Sequence, residues 1–169
     1  RNASRARLSR FRASGGSIFG KMKQGDSIVL ECLWDEGADT SLGLPRYENT
    51  GAAGADLRAN FPDRGAVTLD PGARVLVPTG LRLAVPDGYE VQVRPRSGLA
   101  LKHGITLPNT PGTVDSDYRG PLSVIVMNAG TASFEITHGM RIAQMILAPV
   151  VQAQFAQVDA LPETERGAG

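Results

Sequence analysis

The sequence has few of the residues from which disulfide frameworks and zinc centres are built. Cys32 is the single cysteine, so the chain can form neither an internal disulfide nor a multi-cysteine metal site. Its two histidines argue against a histidine-rich zinc site. No segment is long and apolar enough to cross a membrane. The sequence therefore predicts no disulfide-stabilised scaffold, no dedicated zinc centre and no membrane partner.

Aromatic residues are also scarce, at 5% of a chain in which hydrophobic residues make up 41%. A core must therefore consist mainly of valine, leucine, isoleucine and alanine. The 169 residues are enough for one domain, and 20 glycines with 11 prolines are typical of an all-β fold. Turn signals recur roughly every 8–12 residues, which favours a sandwich or barrel. Strands are predicted at 27–34, 66–69, 74–78, 81–85, 89–93, 122–127, 133–137 and 141–151.

Charge is distributed unevenly along the chain. Residues 1–24 are basic and contain no acidic residue, although the whole chain has a net charge of only +1. The composition of this arm predicts disorder, and its function has three interpretations: a nucleic-acid contact, a remnant of organelle targeting, or an extension unrelated to function. We favour the last. The basic residues are Arg1, Arg5, Arg7, Arg10, Arg12, Lys21 and Lys23.

The run 94–120 concentrates the residues that could bind a phosphorylated ligand. Pro95 stiffens the backbone between Arg94 and Arg96. Ser97 stands where the N-cap of a short helix is expected, and such a helix start can bind an anion. Gly98 would let a phosphate approach the backbone. Each of these features alone is common in surface turns, so only their combination favours a binding site.

The second half of this run predicts a tight hairpin followed by a pair of acids. Two short arms, 105–108 and 113–115, are joined through Asn109-Thr110-Pro111-Gly112, which is strong turn chemistry. Asp115 and Asp117 are two positions apart and would share one side of a strand. The residues indicate a phosphate site beside a carboxylate, although aspartates in such turns are often merely solvated. They do not name a substrate.

Five segments, in order, resemble the five motifs of the trimeric dUTP diphosphatase (dUTPase) family. The first is Gly54-Ala55-Asp56-Leu57-Arg58, and the run 94–120 resembles the second and third. The fourth is 139–145 (GMRIAQM), and 166–169 (RGAG) resembles the start of the fifth. The likeness covers about residues 44–169, and five motifs in the right order are highly specific.

This resemblance implies an all-β fold, a distorted jelly-roll or β-clip type barrel that forms a homotrimer with sites shared between subunits. The domain would span 25–160, and 161–169 would begin a mobile C-terminal arm. The implied reaction is Mg²⁺-dependent hydrolysis of dUTP to dUMP and pyrophosphate, in which water attacks the α-phosphorus. It would limit uracil incorporation into DNA and supply dUMP for dTMP synthesis. We expect a cytoplasmic enzyme, although targeting by the basic arm stays open, and no nucleic-acid partner.

The resemblance also implies the roles of individual residues. Asp115 matches the general base, Tyr118 would lie under the deoxyribose and exclude a 2′-hydroxyl, and Asp56 would approach Mg²⁺ through water. The metal has no direct protein ligand. The phosphates would contact Arg96, Ser97, Gly98 and Gln144, with Arg166 on the closing arm, and the uracil would pair with Asn109 and the main chain around Gly112, Thr113, Val114 and Ser123.

Structural roles are the alternatives for several of these residues. Asp56 could simply support its strand, Gln144 could be a buried polar residue, and Tyr118 could fill the core. His103 is expected to interact with carbonyls at the end of the short helix, and His138 is expected to be exposed in a turn. We do not expect either histidine to be the base.

The chain departs from the family pattern at its end, because the fifth motif continues with more glycine and a stacking aromatic, whereas the sequence stops at Gly169. A chain that ended here would be expected to bind substrate but turn it over weakly. Three other functions are alternatives: dCTP deaminase, a non-catalytic nucleotide-binding relative, and nucleic-acid binding through the arm. The deaminase relies on an active-site glutamate, and none occurs between Glu90 and Glu135.

Overall fold

The structure, a computed structural model, describes residues 27–167. The basic arm 1–24 lies outside the described residues, and so do the last two residues of the chain. Within the described part, no helix is both long and apolar enough to span a bilayer. The strands are β1 (Glu31–Trp34), β2 (Ala55–Arg58), β3 (Ala66–Leu69), β4 (Arg74–Ala84), β5 (Tyr89–Arg94), β6 (Ile105–Thr106), β7 (Gly112–Val114), β8 (Leu122–Asn128), β9 (Phe134–Thr137) and β10 (Arg141–Pro149), and the helices are a 3₁₀ turn (Thr40–Leu42) and α1 (Ser97–His103).

Two four-stranded antiparallel sheets enclose the core. Their strand orders are β1-β4-β8-β6 and β2-β10-β5-β7, and β3 pairs with β9 in a separate ribbon. Alternate residues of β8 are buried, as expected for a strand with one face on a core. Aliphatic side chains such as Leu57, Val91 and Val124 fill the space between the sheets. The predicted all-β, distorted jelly-roll fold is confirmed.

One predicted turn is instead a bulge inside a strand. The sequence predicts that Thr79-Gly80 separates strands 74–78 and 81–85, but β4 runs through from Arg74 to Ala84. The register shifts between Pro78 and Leu81, where Gly80 has φ 71°. The Thr79 hydroxyl donates to Leu122 O at 2.6 Å, and Gly80 O accepts from Asp35 N at 2.8 Å. Because these groups are satisfied by neighbours, the strand bends without ending.

The predicted helix forms, but it starts differently. Arg96 occupies the N-cap position without a side-chain capping bond, and Ser97 is the first helical residue, so the predicted Ser97 cap is wrong. Gly104 ends the helix at φ 70° with its N–H on Ala100 O, as a left-handed C-cap does. The end of the helix packs closely against the β8–β9 loop, because a Cβ on Gly130 would lie only 2.4 Å from His103 O.

The predicted hairpin is wrong, because its two arms belong to different sheets. β6 pairs with β8, and β7 pairs with β5. Ile105 and Leu107 are each 2% exposed, so burial draws the first arm into the core rather than against the second. β7 ends at Val114, and Tyr118 N donates to Asp115 O at 3.2 Å. The two acids therefore stand in a turn, where strand alternation does not apply.

His138 is not exposed as predicted, since its side chain is only 13% accessible. Phe61 N donates to Nδ1 at 3.1 Å, which places the ring proton on Nε2, 3.1 Å from Asp39 Oδ2. Arg64 Nη2 lies 3.1 Å from the same oxygen. The backbone N–H and the hydroxyl of Ser41 both donate to the other carboxylate oxygen, Asp39 Oδ1. The hydrogen bond from the Ser41 hydroxyl, with those from His138 and the Ser41 amide and the charge of Arg64, lowers the pKa of Asp39 to about 2.

We predict that Asp39→Asn lowers the melting temperature at neutral pH, because it removes the charge that these donors stabilise. A carboxylate with a depressed pKa contributes stability above its unfolded pKa of about 3.9 and loses it as the pH falls through the folded value. The difference in melting temperature between variant and wild type should thus be constant above about pH 4 and should shrink as the pH falls towards about 2. Thermal unfolding across this range measures it, with Asp159→Asn in the exposed tail as control. A difference that does not change with pH would contradict the prediction.

Candidate active site

A carboxylate held between two arginines forms the centre of the candidate site. Asp56, on β2, accepts from Arg96 Nε at 3.0 Å through Oδ1 and from Arg141 Nη1 at 3.0 Å through Oδ2. The Asp56 side chain is 14% exposed, so the pairs are partly shielded from solvent. Arg141 Nη1 also lies 3.4 Å from Glu48 Oε1. The arrangement brings the predicted residues Asp56 and Arg96 into direct contact.

These residues line one open cavity that is wide enough for a phosphate chain, with a volume of about 490 Å³. Arg96 has five N–H donors, of which Nε bonds Asp56 and Nη1 bonds Arg141 O at 3.3 Å, which leaves others for an anion. Lys102 was not predicted, although it lies four residues after Gly98 and so on the same helical face. The cavity is lined by Glu48, Ala52, Gly54, Asp56, Arg96, Ser97, Gly98, Leu99, Lys102, His103, Arg141 and Gln144.

The side chain of Gln144 is held in this cavity by two neighbours. Its Nε2 donates to Pro95 O at 3.0 Å. Its Oε1 faces Gly54, where a Cβ would lie 2.4 Å from that oxygen and 3.2 Å from Cδ. Gln144 is half-buried and hydrogen-bonded, which partly agrees with the alternative that it is a buried polar residue. It also lines the cavity together with Arg96. The predicted phosphate contact is thus compatible with its position.

A second, smaller pocket of about 80 Å³ lies between β7 and β8. It brings together five predicted base-contacting residues, although they come from three segments of the chain. Gly112 is adjacent to Asn109, because a Cβ at Gly112 would lie 3.2 Å from Asn109 Nδ2. The lining combines backbone of an edge strand with aliphatic walls. It consists of Val93, Leu107, Asn109, Gly112, Thr113, Val114, Leu122, Ser123, Val124 and Ile125.

The predicted base, Tyr118 and the predicted arm do not line either of these pockets. Asp115 is exposed and lines a separate hollow with Asp117, Asp87 and Glu90. Tyr118 is 45% exposed, so it does not fill the core, and its hydroxyl donates to Pro121 O at 3.1 Å. Arg166 lies in the exposed segment 150–167. Within one chain the predicted site residues therefore fall into separate groups.

A sequence model of the dUTPase family matches residues 40–169. The deoxyuridine 5'-triphosphate nucleotidohydrolase of Roseobacter denitrificans is 69% identical over 142 residues, which cover 84% of this chain and 93% of that protein. The chain belongs to the dUTPase family. It is therefore an enzyme of the hydrolase class, as the five motifs predicted. The protein of the same name from Dinoroseobacter shibae is 60% identical over 147 residues, covering 85% of this chain and 94% of its own length.

Solved dUTPase structures share the fold at low sequence identity. The enzyme of Staphylococcus bacteriophage 80alpha with dUPNHPP aligns with a TM-score of 0.71 and 22% identity, over 85% of this chain and 96% of that one. A mutant dUTPase of phage phi11 of S. aureus, described for its coordination of a structural Mg(II) ion, aligns with a TM-score of 0.67 and 21% identity, over 79% of this chain and 98% of that one. These likenesses concern the fold of the dUTPase domain.

We predict that Gly54→Ala displaces the Gln144 amide from Pro95 O, because the new methyl group would overlap Oε1. The amide is the end of a flexible side chain, so the free energy of unfolding should fall by only about 1 kcal/mol, the worth of one hydrogen bond. A crystal structure of the variant and its urea unfolding curve measure the two effects. Gly51→Ala is the matched control, since its Cβ would meet its nearest atom at 3.5 Å. An amide that stays on Pro95 O would contradict the prediction.

Proposed function

We propose that this chain hydrolyses dUTP to dUMP and pyrophosphate. The observation that carries the proposal is the cavity in which Arg96, Gln144 and Asp56 meet, in a chain 69% identical to a named deoxyuridine 5'-triphosphate nucleotidohydrolase. A triphosphate has several negative charges, and arginine offers it a rigid fork of donors. Lys102 adds a second cation to the cavity wall. The product dUMP would serve dTMP synthesis, and we expect the reaction to take place in the cytoplasm.

The small pocket between β7 and β8 is the proposed uracil site. Asn109 supplies an amide that can both donate and accept, and the edge strand supplies backbone groups in a fixed order. Uracil and cytosine differ in the donors and acceptors on their pairing edges. A cytosine would leave buried groups unpaired here, and this penalty is the basis of strong discrimination between similar ligands.

Mg²⁺ is the proposed cofactor, and the residues fit it as a metal carried by the substrate. Among residues 27–167 no group of three or more His, Cys, Asp and Glu side chains could hold a metal ion. Asp56 is the carboxylate at the phosphate cavity, and both of its oxygens are bonded to arginine, which suits contact through water. When bound, the ion would neutralise charge on the phosphates. Arg96 and Gln144 would orient the same phosphates.

Asp115 is the proposed general base. Its exposed carboxylate can accept a proton from a water molecule, whose oxygen then forms a bond to the α-phosphorus. The bond between that phosphorus and the bridging oxygen breaks, and pyrophosphate leaves with the electron pair. Tyr118, three residues further along the same turn, would lie against the deoxyribose.

Within one chain, Asp115, the uracil pocket and the phosphate cavity have no lining residue in common, which is compatible with a site shared between copies of the chain. We therefore propose a homotrimer in which one subunit supplies the base and the uracil pocket and the next supplies Arg96, Ser97 and Gln144. Closed rings of identical subunits produce such heterologous contacts naturally. Arg166, in the exposed tail, would contact the phosphates of a site in the same ring.

Asp115→Asn should reduce pyrophosphate release from dUTP by at least about a thousandfold, since an amide cannot take the proton. Binding of a non-hydrolysable dUTP analogue should change by less than about threefold. Asp117→Asn is the matched control, because this neighbouring acid lines the same hollow and should retain activity. Equal losses in both variants would contradict the assignment of the base.

The substrate panel for this assay is dUTP, dCTP, dTTP and UTP with Mg²⁺. Selective release of pyrophosphate from dUTP supports the proposal. Ammonia from dCTP would instead indicate the deaminase. Thermal protection by dUTP without any turnover would indicate a binding-only relative.

Mixing two inactive variants tests the shared site. Asp115→Asn and Arg96→Ala subunits, unfolded and refolded together in equal amounts, should recover about a quarter of wild-type activity, because each mixed trimer contains one interface with both residues intact. Pyrophosphate release and light scattering measure activity and assembly. Each variant refolded alone is the control. A trimer without recovered activity would show that one chain supplies both groups, and a monomer would contradict the assembly itself.

A further inference from the structure

A glycine beside Tyr118 leaves the space that the phenol ring occupies. A Cβ built on Gly120 would lie 2.3 Å from the Tyr118 hydroxyl oxygen, 2.5 Å from Cζ and 2.9 Å from Cε2. The three nearest atoms thus all belong to the tyrosine. Gly120 is not among the residues with positive φ, so the backbone conformation itself does not require glycine. Glycine is needed here because of the ring.

The backbone of this turn is held independently of the ring. Arg119 Nη1 donates to Ser116 O at 2.6 Å and to Tyr118 O at 2.8 Å. These two hydrogen bonds link backbone carbonyl groups of the turn to one another. Arg82 Nη1 donates to Arg119 O at 3.3 Å and connects the turn to β4. Tyr118, by contrast, is 45% exposed, and its side chain makes one hydrogen bond, from the hydroxyl to Pro121 O. An added methyl group would therefore move the ring outward rather than the backbone.

The position of the ring matters because Pro121 adjoins the wall of the smaller pocket. Leu122 and Ser123, the next two residues in the sequence, line the pocket proposed for uracil. The hydroxyl of Tyr118 is bonded to the residue that immediately precedes this wall. A ring displaced from Pro121 moves away from the residue that precedes this wall. In the proposed function Tyr118 lies against the deoxyribose, so the position of its ring would determine whether a 2′-hydroxyl can be accommodated.

We propose that Gly120 is a positioning residue for sugar specificity. By leaving room for the Tyr118 ring against Pro121, it keeps the ring where it rejects ribonucleotides. The inference rests on the proposed dUTP hydrolysis and deepens it. Gly120 touches no substrate and acts only through Tyr118.

Gly120→Ala should lower the ratio of kcat/KM for dUTP to kcat/KM for UTP by at least about tenfold, chiefly through a higher KM for dUTP and a gain with UTP. Pyrophosphate release from both nucleotides measures the ratio. Gly51→Ala is the matched control and should keep the wild-type ratio, because its Cβ meets nothing closer than 3.5 Å. A wild-type ratio in Gly120→Ala, in a chain that hydrolyses dUTP, would overturn the inference and leave the proposed function intact.

A double variant distinguishes an effect of Gly120 on the Tyr118 ring from an effect on the rest of the turn. In a Tyr118→Ala background, Gly120→Ala should change the ratio by less than about twofold, because the partner of the methyl group is gone. A further large change would show that Gly120 acts on the turn itself and would overturn the inference. If Gly120→Ala alone does not fold, the double variant with Tyr118→Ala, which removes all three close atoms, should fold and keep the ratio of Tyr118→Ala. A double variant that also fails to fold would overturn the inference. Wild-type protein that releases no pyrophosphate from dUTP would overturn both proposals.

Discussion

The double pairing of strand β10 is the constraint on which the site depends. β10 lies between β2 and β5, so Gln144 pairs with Asp56 on one side and with Arg94 on the other. This register places Asp56 within reach of Arg141 and places Gln144 beside Pro95, where α1 begins. A shift of one residue would turn the Gln144 side chain to the opposite face. Backbone pairing therefore sets the positions from which the side chains form the cavity.

The arginine pairs of Asp56 prepare this cavity for an anion rather than neutralise it completely. The cavity is lined by three cationic side chains, Arg96, Lys102 and Arg141, and by two acidic ones, Asp56 and Glu48. The positive charges therefore outnumber the negative ones. Partly exposed pairs of this kind contribute little to stability on their own. In the proposed function, a triphosphate would bind the outward donors while Asp56 keeps Arg96 in place. The carboxylate thus fixes the direction of the guanidinium group, which is a requirement for specific phosphate contacts.

The sequence predicted the all-β class and most strand positions, because alternation and turn residues are local signals. It failed where the partner of a segment is decided far away in the chain. The arms at 105–108 and 113–115 look like a hairpin locally, but burial between two sheets separates them. His138 looks like an exposed turn residue, yet it is bonded to Asp39, 99 positions away. The site residues came from motif resemblance, which also implied sites shared between subunits but did not say which residues lie together within one chain.

Three glycines beside predicted site residues share a property that neither propensity nor turn chemistry predicts. Gly54, Gly112 and Gly120 do not have positive φ, and the atom nearest to a Cβ built on each belongs to the polar side chain of a predicted site residue. These side chains are Gln144, Asn109 and Tyr118. A glycine has no Cβ, so a neighbouring side chain can pack directly against its backbone. The glycine keeps its backbone N–H and C=O groups, so this close packing removes no hydrogen-bonding group. In this fold, these three glycines therefore leave the space that a neighbouring polar side chain occupies.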